Sequence, residues 1–295
     1  MILQEARNFA VKILSAVEKQ KRSSSPRLDG DCFLCHILQK ERSFLLTYPD
    51  YVLTDEEVAL FNEMLKKRSL GLPVAYILHS KEFFGYDFYV DENVLIPKPD
   101  TEILVERAIS LLQEKALLKK ELKIADICTG SGCIIISVIK SLNLSIPIQI
   151  FASDISSKAL AVAKKNAANL LPNIPITFIE SDLLRDFPKD IQFDIILSNP
   201  PYVPSSLTKE LLQDGRNEPI LALDGGTDGL KIITELIPQV YDYLANDGIV
   251  LLETGEYNAY ESMKLLESVG FSSVCNHKDY AGMLRVSEGK KVIFS

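Results

Sequence analysis

The feature that most constrains the fold is an alternation that begins near residue 122, where short apolar runs take turns with longer stretches whose apolar residues recur every three or four positions. Strands are expected over 122–127, 148–152, 176–179, 193–197 and 249–252, and helices from about 133 and over 156–170, 230–244 and 259–269. This order requires a parallel sheet covered by helices on both faces. Two further strands, 271–275 and 291–294, have no helix between them and should pair antiparallel.

Ahead of the alternation the pattern is different. Residues 1–73 read as a small helical domain in which Ile2, Leu3, Ala6, Phe9, Ala10, Ile13, Leu14 and Val17 share one face. Ser23-Ser24-Ser25 breaks the chain before a second helix that follows Pro26. Thr54-Asp55-Glu56-Glu57 has capping-box spacing ahead of a third helix, which Gly71 and Pro73 end. Residues 74–96 collect aromatic and β-branched side chains around Gly85 and read as a two-stranded hairpin bridging to a domain of residues 97–295.

Composition narrows the function classes. An apolar share of 47% supplies a sizeable core, and 32 basic against 40 acidic side chains leave a net charge of −8, which disfavours a nonspecific nucleic-acid binder. No apolar run reaches the ~18 residues of a membrane span, and the first residues lack the charged start and apolar block of a signal peptide, so a cytoplasmic protein with no membrane partner is expected. The five cysteines show no framework spacing and read as reduced thiols. Cys32-Phe33-Leu34-Cys35-His36 matches the pattern for covalent haem attachment, but it sits in a helical apolar pattern without an export signal, so buried free thiols are expected instead. His79 and His277 have no ligand-spaced partner in the sequence, and no metal is expected.

Chemistry concentrates at the strand ends. The first strand runs into Asp126-Ile127-Cys128-Thr129-Gly130-Ser131-Gly132-Cys133 and then a helix, which is where a doubly wound sheet binds nucleotide-like ligands. Gly130 and Gly132 permit a sharp turn, and a Cβ at either is expected to occupy ligand space. Ile135 stands where a dinucleotide fingerprint wants Gly or Ala, which counts against a nicotinamide cofactor. Asp154 follows Gly132 by 22 residues, so its carboxylate suits both hydroxyls of an unphosphorylated ribose, or else caps the next helix. At the third strand end Asp182 can accept the amino group of an adenine and Leu183 can cover the ring, or else the carboxylate is simply solvated. Three successive strand ends thus describe a site for an adenosyl group.

The fourth strand ends in Asn199-Pro200-Pro201-Tyr202, which resembles the tetrapeptide of amino-methyltransferases that use S-adenosylmethionine. The chemistry accounts for the composition. A planar nitrogen with a delocalised lone pair has to be held in line with the methyl donor while its two hydrogens are accepted. Asn199 offers a side-chain carbonyl, Pro200 a backbone carbonyl fixed by the next proline ring, and Tyr202 an aromatic face. No strong base is needed, because the methylated nitrogen is acidic and loses its proton to water. A bare strand-ending turn is the plain alternative.

Further segments resemble the HemK-type (PrmC) peptide chain release factor glutamine methyltransferases: Pro73-Val74-Ala75-Tyr76-Ile77, Phe83-Phe84-Gly85, Ile96-Pro97-Lys98-Pro99-Asp100-Thr101-Glu102 and Leu223-Asp224-Gly225-Gly226-Thr227-Asp228-Gly229. The resemblance implies a seven-stranded Rossmann-like class I methyltransferase domain preceded by the helical domain. It also implies S-adenosylmethionine as cofactor, with S-adenosylhomocysteine as product, and the glutamine N5 of the Gly-Gly-Gln motif in class 1 release factors as substrate. It assigns Cys128, Thr129, Gly130, Ser131 and Gly132 to the cofactor loop, Asp154 to the ribose, and Asn199, Pro200, Pro201 and Tyr202 to the glutamine. Three residues depart from the usual pattern: Lys98 replaces Arg, Cys128 a common Gly, and Leu183 an aromatic of some relatives. The N-terminal helices would hold the body of the release factor, and the segment 203–226, expected to be a long loop, would shape the mouth of the site with the hairpin. A one-to-one complex needs no self-association, so a monomer without direct nucleic-acid contact is expected. The competing readings are an adenine-N6 DNA or RNA methyltransferase, a ribosomal-protein glutamine methyltransferase and a non-catalytic adaptor.

Overall fold

The computed structural model describes residues 1–17, 25–143, 146–213 and 217–293, so Ser23 and Ser24 of the expected breaker and Phe294 of the expected last strand lie outside it. The chain forms two compact units, Met1–Ser80 with Lys209–Asn217, and Lys81–Thr208 with Glu218–Ser295.

The first unit contains α1 (Leu3–Ser15), α2 (Pro26–Leu38), α3 (Arg42–Thr47), α4 (Asp55–Ser69) and α5 (Val74–Leu78). Leu3, Ala10, Leu14, Phe33, Leu34, Leu45, Phe61 and Leu65 form its core. Gly30 lets α2 approach Ala10 of α1 more closely than any side chain would allow. At the same interface buried Asp31 takes two bonds from Arg7, 2.7 and 3.0 Å, and one from Arg42 at 3.0 Å, so the carboxylate is compensated as burial demands. The capping box forms as expected: Glu57 N donates to Thr54 Oγ1 at 3.2 Å and Thr54 N to Glu57 Oε2 at 2.7 Å. Cys32 and Cys35 lie within α2, where burial raises both thiol pKa values and keeps them as protonated packing groups. One expectation fails here. Residues 74–78, assigned to the hairpin by composition, are helical because Pro73 starts a turn and the adjacent Tyr76 and Ile77 are both buried, which strand alternation would forbid.

The second unit opens with the hairpin itself, β1 (Lys81–Phe83) and β2 (Tyr86–Phe88), joined by Phe84 at φ 52° and Gly85 at φ 76°. Two central residues with positive φ are what a type I′ two-residue hairpin turn requires. There follow α6 (Glu102–Ala116), β3 (Leu122–Ile127), α7 (Cys133–Ser141), β4 (Ile148–Asp154), α8 (Ser157–Leu170), β5 (Thr177–Glu180), β6 (Phe193–Ser198), α9 (Ser205–Gln213), whose residues from Lys209 onward belong to the first unit, α10 (Lys231–Tyr243), β7 (Leu244–Glu253), α11 (Ala259–Val269), β8 (Ser272–Lys278) and β9 (Leu284–Lys290). The sheet order is β5-β4-β3-β6-β7-β9-β8, parallel from β5 to β7, with β9 antiparallel to both its neighbours. Alternate residues feed opposite faces: Ile124, Ile195 and Leu251 pack with Leu112 and Ile135, while Ile127, Ile196 and Leu252 pack with Ile237 and Val240.

Three elements of this unit differ from expectation. The last strand is 284–290, not 291–294, because it buries Ser287 and Glu288 against polar partners and so lacks the apolar signature of a strand. The segment 203–226 is not a structureless loop, since it holds α9 and a short turn of 3-10 helix at Ile220–Ala222; residues 214–216 of it are outside the described set. The helix α6 was not anticipated at all, although Leu104, Val105, Ala108, Leu111 and Leu112 give it a buried face.

Asn166 of α8 fastens the segment after the hairpin to the glycine turn. Its Oδ1 accepts from Tyr89 N at 2.8 Å, and its Nδ2 donates to Tyr89 O at 3.0 Å and Ser131 O at 2.9 Å. Replacing this buried amide with alanine removes all three bonds, so Asn166→Ala should lower unfolding free energy by roughly 2–4 kcal/mol. Denaturant titration measures it, and a loss under about 1 kcal/mol would show that water takes over the bonds.

Candidate active site

Parallel strands in register deliver their next residues to one edge. Ile127 lies opposite Ser153 of β4 and Ser198 of β6, Ser198 opposite Leu252 of β7, and Asp154 opposite Glu180 of β5. Cys128, Asp154, Ser181, Asn199 and Glu253 therefore emerge side by side. Because β3 has β4 on one side and β6 on the other, this edge is also the topological switch point of the sheet.

A cavity of about 210 Å³ opens there, with Cys128, Thr129, Gly130, Ser131, Asp154 and Asn199 in its wall. A second, of about 470 Å³, shares Cys128, Asp154, Ile155, Pro201 and Leu221 with it and adds Asp182 and Leu183. The strand-end residues singled out in the sequence thus meet in one cleft, with three exceptions. Gly132, Pro200 and Tyr202 line neither cavity.

The glycines differ in purpose. Gly130, at φ 55°, would point a Cβ into open space, whereas at Gly132, φ 78°, a Cβ would stand 2.9 Å from Ile136 Cδ1 and 3.4 Å from Ala163 Cβ. The expectation that both keep ligand space clear therefore needs correction: Gly132 serves the turn and the packing of α7 on α8. Cys128 also has a left-handed backbone, φ 60°, a strain of ~1–2 kcal/mol for a residue with a Cβ, which is the physical reason glycine suits this place.

Asp154 accepts from Gly130 N through Oδ2 and from Ser156 N through Oδ1, both at 2.9 Å. It is not the helix cap; Ser156 is, its Oγ accepting from Ala159 N at 3.2 Å. Burial raises the Asp154 pKa, and the backbone bonds partly offset it. Asp182 is paired with Arg185, which also reaches Glu235 at 3.1 Å, but both side chains of the Asp182–Arg185 pair remain exposed. Leu183, also left-handed at φ 58°, is buried beside it. Asp126 received no role in the sequence reading. It is fully buried, accepts from Thr129 Oγ1 at 2.6 Å, and leaves Oδ1 without a partner, and burial pushes its pKa up to about 7. An acidic residue at a strand end directly before a glycine turn was the available signal.

The tetrapeptide is held on several sides. Asn199 Nδ2 donates to Thr101 Oγ1 at 3.4 Å, Tyr202 Oη donates to Glu253 Oε1 at 3.0 Å, and the Tyr202 carbonyl accepts from Asn258 Nδ2 at 3.1 Å. Tyr202 packs its ring against the second core. The glycine-rich segment 223–229 closes over the backbone: Val203 N donates to Leu223 O at 2.9 Å, and a Cβ on Gly225 would fall 2.8 Å from Pro201 O. Lys98 reaches Glu218 Oε1 at 2.6 Å, and the same oxygen takes Ile96 N at 3.3 Å. Thr101, Glu253 and Asn258 were missed in sequence because each is an ordinary residue whose role comes from its neighbours.

Elsewhere in this unit, β8 and β9 correct the expectation that His277 has no ligand-spaced partner. Cys275 and His277 share a strand face, 3.7 Å apart, and His277 Nε2 is 2.7 Å from Glu288 Oε2. Arg107 already holds both Glu288 oxygens, at 2.7 and 2.9 Å. Burial would raise the Glu288 pKa, but the bonds to His277 and Arg107 outweigh it and take it down to about 2. The cluster is thus a satisfied ion-pair network.

Comparison with known proteins agrees with this geometry. The profile of the PrmC N-terminal domain matches residues 5–78, and that of the methyltransferase small domain residues 102–215. The release factor glutamine methyltransferase of Clostridium acetobutylicum is 35% identical over 88% of this chain and 89% of its own length, and that of Koribacter versatilis is 36% identical over 99% of each. This chain belongs to the release factor glutamine methyltransferase family. Among solved structures, a methyltransferase from Pyrococcus furiosus (19% identity, 72% of this chain and 92% of that one, TM-score 0.50) and the human Mettl16 catalytic domain in complex with an RNA hairpin (17%, 77% and 82%, TM-score 0.55) share the class I methyltransferase fold. In this member of the family, no helix among the described residues is long and apolar enough to cross a membrane.

Proposed function

We propose that the protein transfers the methyl group of S-adenosylmethionine to the side-chain amide nitrogen, N5, of the glutamine in the Gly-Gly-Gln motif of class 1 release factors. The observation that carries this reading is that Asn199 and Pro201 share a wall with the Gly130 turn and Asp154, so an amide acceptor and an adenosyl-sized cleft are contiguous.

The residues fit the cofactor. Gly130 faces open space, Asp154 offers carboxylate lone pairs to a ribose, and Leu183, Ile155 and Leu221 give apolar cover for a ring. The two cavities carry Glu92, Asp154, Asp182 and Asp224 against Lys98 and Lys231, and Lys98 is tied to Glu218. Such a balance favours a cationic sulfonium and disfavours phosphates, which supports a protein amide over an adenine in a nucleic-acid strand as substrate. When bound, S-adenosylmethionine supplies an electrophilic methyl group. With its Nδ2 directed at Thr101, Asn199 has Oδ1 available to accept one amide hydrogen of the glutamine, and the Pro200 carbonyl accepts the other. Both bonds strengthen as positive charge develops on that nitrogen. Exposed Ile220 and Leu221 form an apolar lip for the glutamine loop, and residues 1–73 grip the body of the release factor as a substrate-binding domain.

The test is incubation with labelled methyl donor and either release factor or nucleic acid. Label should appear on release factor and vanish when the glutamine of its motif is changed to glutamate; label on nucleic acid instead would overturn the reading. Deleting residues 1–73 should abolish methylation of whole release factor while sparing cofactor binding. Asp154→Asn should weaken S-adenosylmethionine binding roughly 10- to 100-fold, in line with loss of charged hydrogen bonds. Calorimetric titration decides this, a change below about threefold being too small for a ribose acceptor.

A further inference from the structure

A planar group stacks on an aromatic ring only where a face of that ring is open to it. Tyr202 is placed otherwise. It lines neither cavity of the cleft, and its ring packs against the core that contains Ile196, Ile233 and Leu252. Its polar atoms are taken up by the end of β7 and the turn that follows. Tyr202 Oη donates to Glu253 Oε1 at 3.0 Å, and the Tyr202 carbonyl accepts from Asn258 Nδ2 at 3.1 Å and from Tyr257 Oη at 3.4 Å. Glu253 is 1% and Asn258 2% exposed, so their bonds to Tyr202 form away from bulk water, where they hold more strongly.

We infer that Tyr202 is a positioning residue, an anchor that holds the span Asn199-Pro200-Pro201 in place, and not the aromatic platform for the substrate amide; this rests on the reaction proposed above. The span can carry such a hold because it is stiff. Pro200 and Pro201 have φ fixed by their rings, and Asn199 and Pro200, each preceding a proline, are kept to extended backbone. The near end is set by β6, where Ser198 pairs with β3 and β7 and its Oγ donates to Ile127 O at 2.6 Å. The far end is Tyr202. With both ends held, Asn199 and Pro201 keep their places in the cavity wall, and the Pro200 carbonyl between them keeps its direction.

The anchor also accounts for the phenol. Stacking needs only a ring, which phenylalanine supplies equally well, whereas a hydroxyl donated to a buried carboxylate ties that ring to β7. The next residue continues the hold, since Val203 N donates to Leu223 O at 2.9 Å and Gly225 N to Val203 O at 2.8 Å.

The experiment compares wild type with Tyr202→Phe, which keeps the ring and removes the bond to Glu253, and with the near-isosteric Asn258→Leu, which releases the carbonyl. The first readout needs no substrate. Pro200-Pro201 is the one Pro-Pro pair in the sequence, so protein labelled with 13C and 15N in proline alone gives a single correlation between the Pro200 carbonyl carbon and the Pro201 nitrogen. That signal should shift by more than its linewidth in both variants. Because Tyr202→Phe retains the ring and its ring current, the shift there reports movement of the span. The second readout is methyl transfer to release factor. Here kcat should fall roughly 10- to 100-fold in each variant, as small misplacements of a positioning group do, with KM for release factor and Kd for S-adenosylmethionine within about twofold. An unmoved Pro200 signal in Tyr202→Phe overturns the anchor. So does half or more of wild-type kcat in that variant, which is what a platform requires. If wild type leaves release factor unlabelled, the proposed reaction falls, and the Pro200 signal alone decides the anchor.

Discussion

Asn199→Ala should leave S-adenosylmethionine binding within about twofold of wild type while kcat for release factor falls by at least ~10²–10³, the usual effect of deleting one preorganised group that meets charge developing in a transition state. The split is expected from where the side chain sits. Asn199 lines the smaller cavity next to the glycine turn, but the ribose and adenine acceptors proposed here, Asp154 and Asp182, belong to other strand ends. Its removal leaves Thr101 and the rest of the wall in place. Single-turnover transfer with labelled donor measures the rate, and calorimetry the affinity. Equal losses in kcat and cofactor affinity would place Asn199 in ground-state binding and remove the special role given to its carbonyl.

Gly229→Ala should be the most damaging single-methyl change among the described glycines. Gly229 has φ 78°, and a Cβ there would sit well inside van der Waals contact of the Tyr202 carbonyl, with Asn258 Nδ2 only 3.0 Å away. Left-handed backbone with a side chain costs about 1–2 kcal/mol, and overpacking adds about 1–3 kcal/mol, so a loss of roughly 2–5 kcal/mol is expected. The clash falls on the backbone of the tetrapeptide proposed to hold the glutamine, so any relief moves Tyr202. Activity should drop even below the melting transition, by more than the folded fraction does. Melting followed by circular dichroism, together with kcat at a temperature where the variant is fully folded, separates the two effects. A variant that melts like wild type would mean the segment 223–229 yields freely.

The parallel core of the sheet was legible in sequence because strands buried on both faces read as continuous apolar runs, as Ile195, Ile196 and Leu197 do. β9 was not, because a strand that buries Glu288 and Ser287 hides its burial behind charge that only Arg107, His277 and Asn276 compensate. The same reason governs the site. Gly130, Asp154 and Asn199 announce themselves by residue type at a strand end. Glu253 and Thr101 do not, since a buried carboxylate acquires meaning only when the end of β7 brings it to Tyr202, and a hydroxyl only when the turn before α6 brings it to Asn199. The short helix at 74–78 was misread for a different cause, a local proline start overriding β-favouring composition.

The sheet order has a consequence for the order of assembly. β9 is inserted between β7 and β8, so one side of β7 has to wait for a strand that comes three elements later in the chain. Pairings that span more of the chain form later than local ones. Glu253 closes β7 and pairs with Val286 of β9, and Thr254 N donates to Arg285 O at 2.9 Å. Until β9 docks, this end of β7 has no strand on that side. The glycine turn between β3 and α7 can therefore take shape before the β7 edge of the cleft is complete.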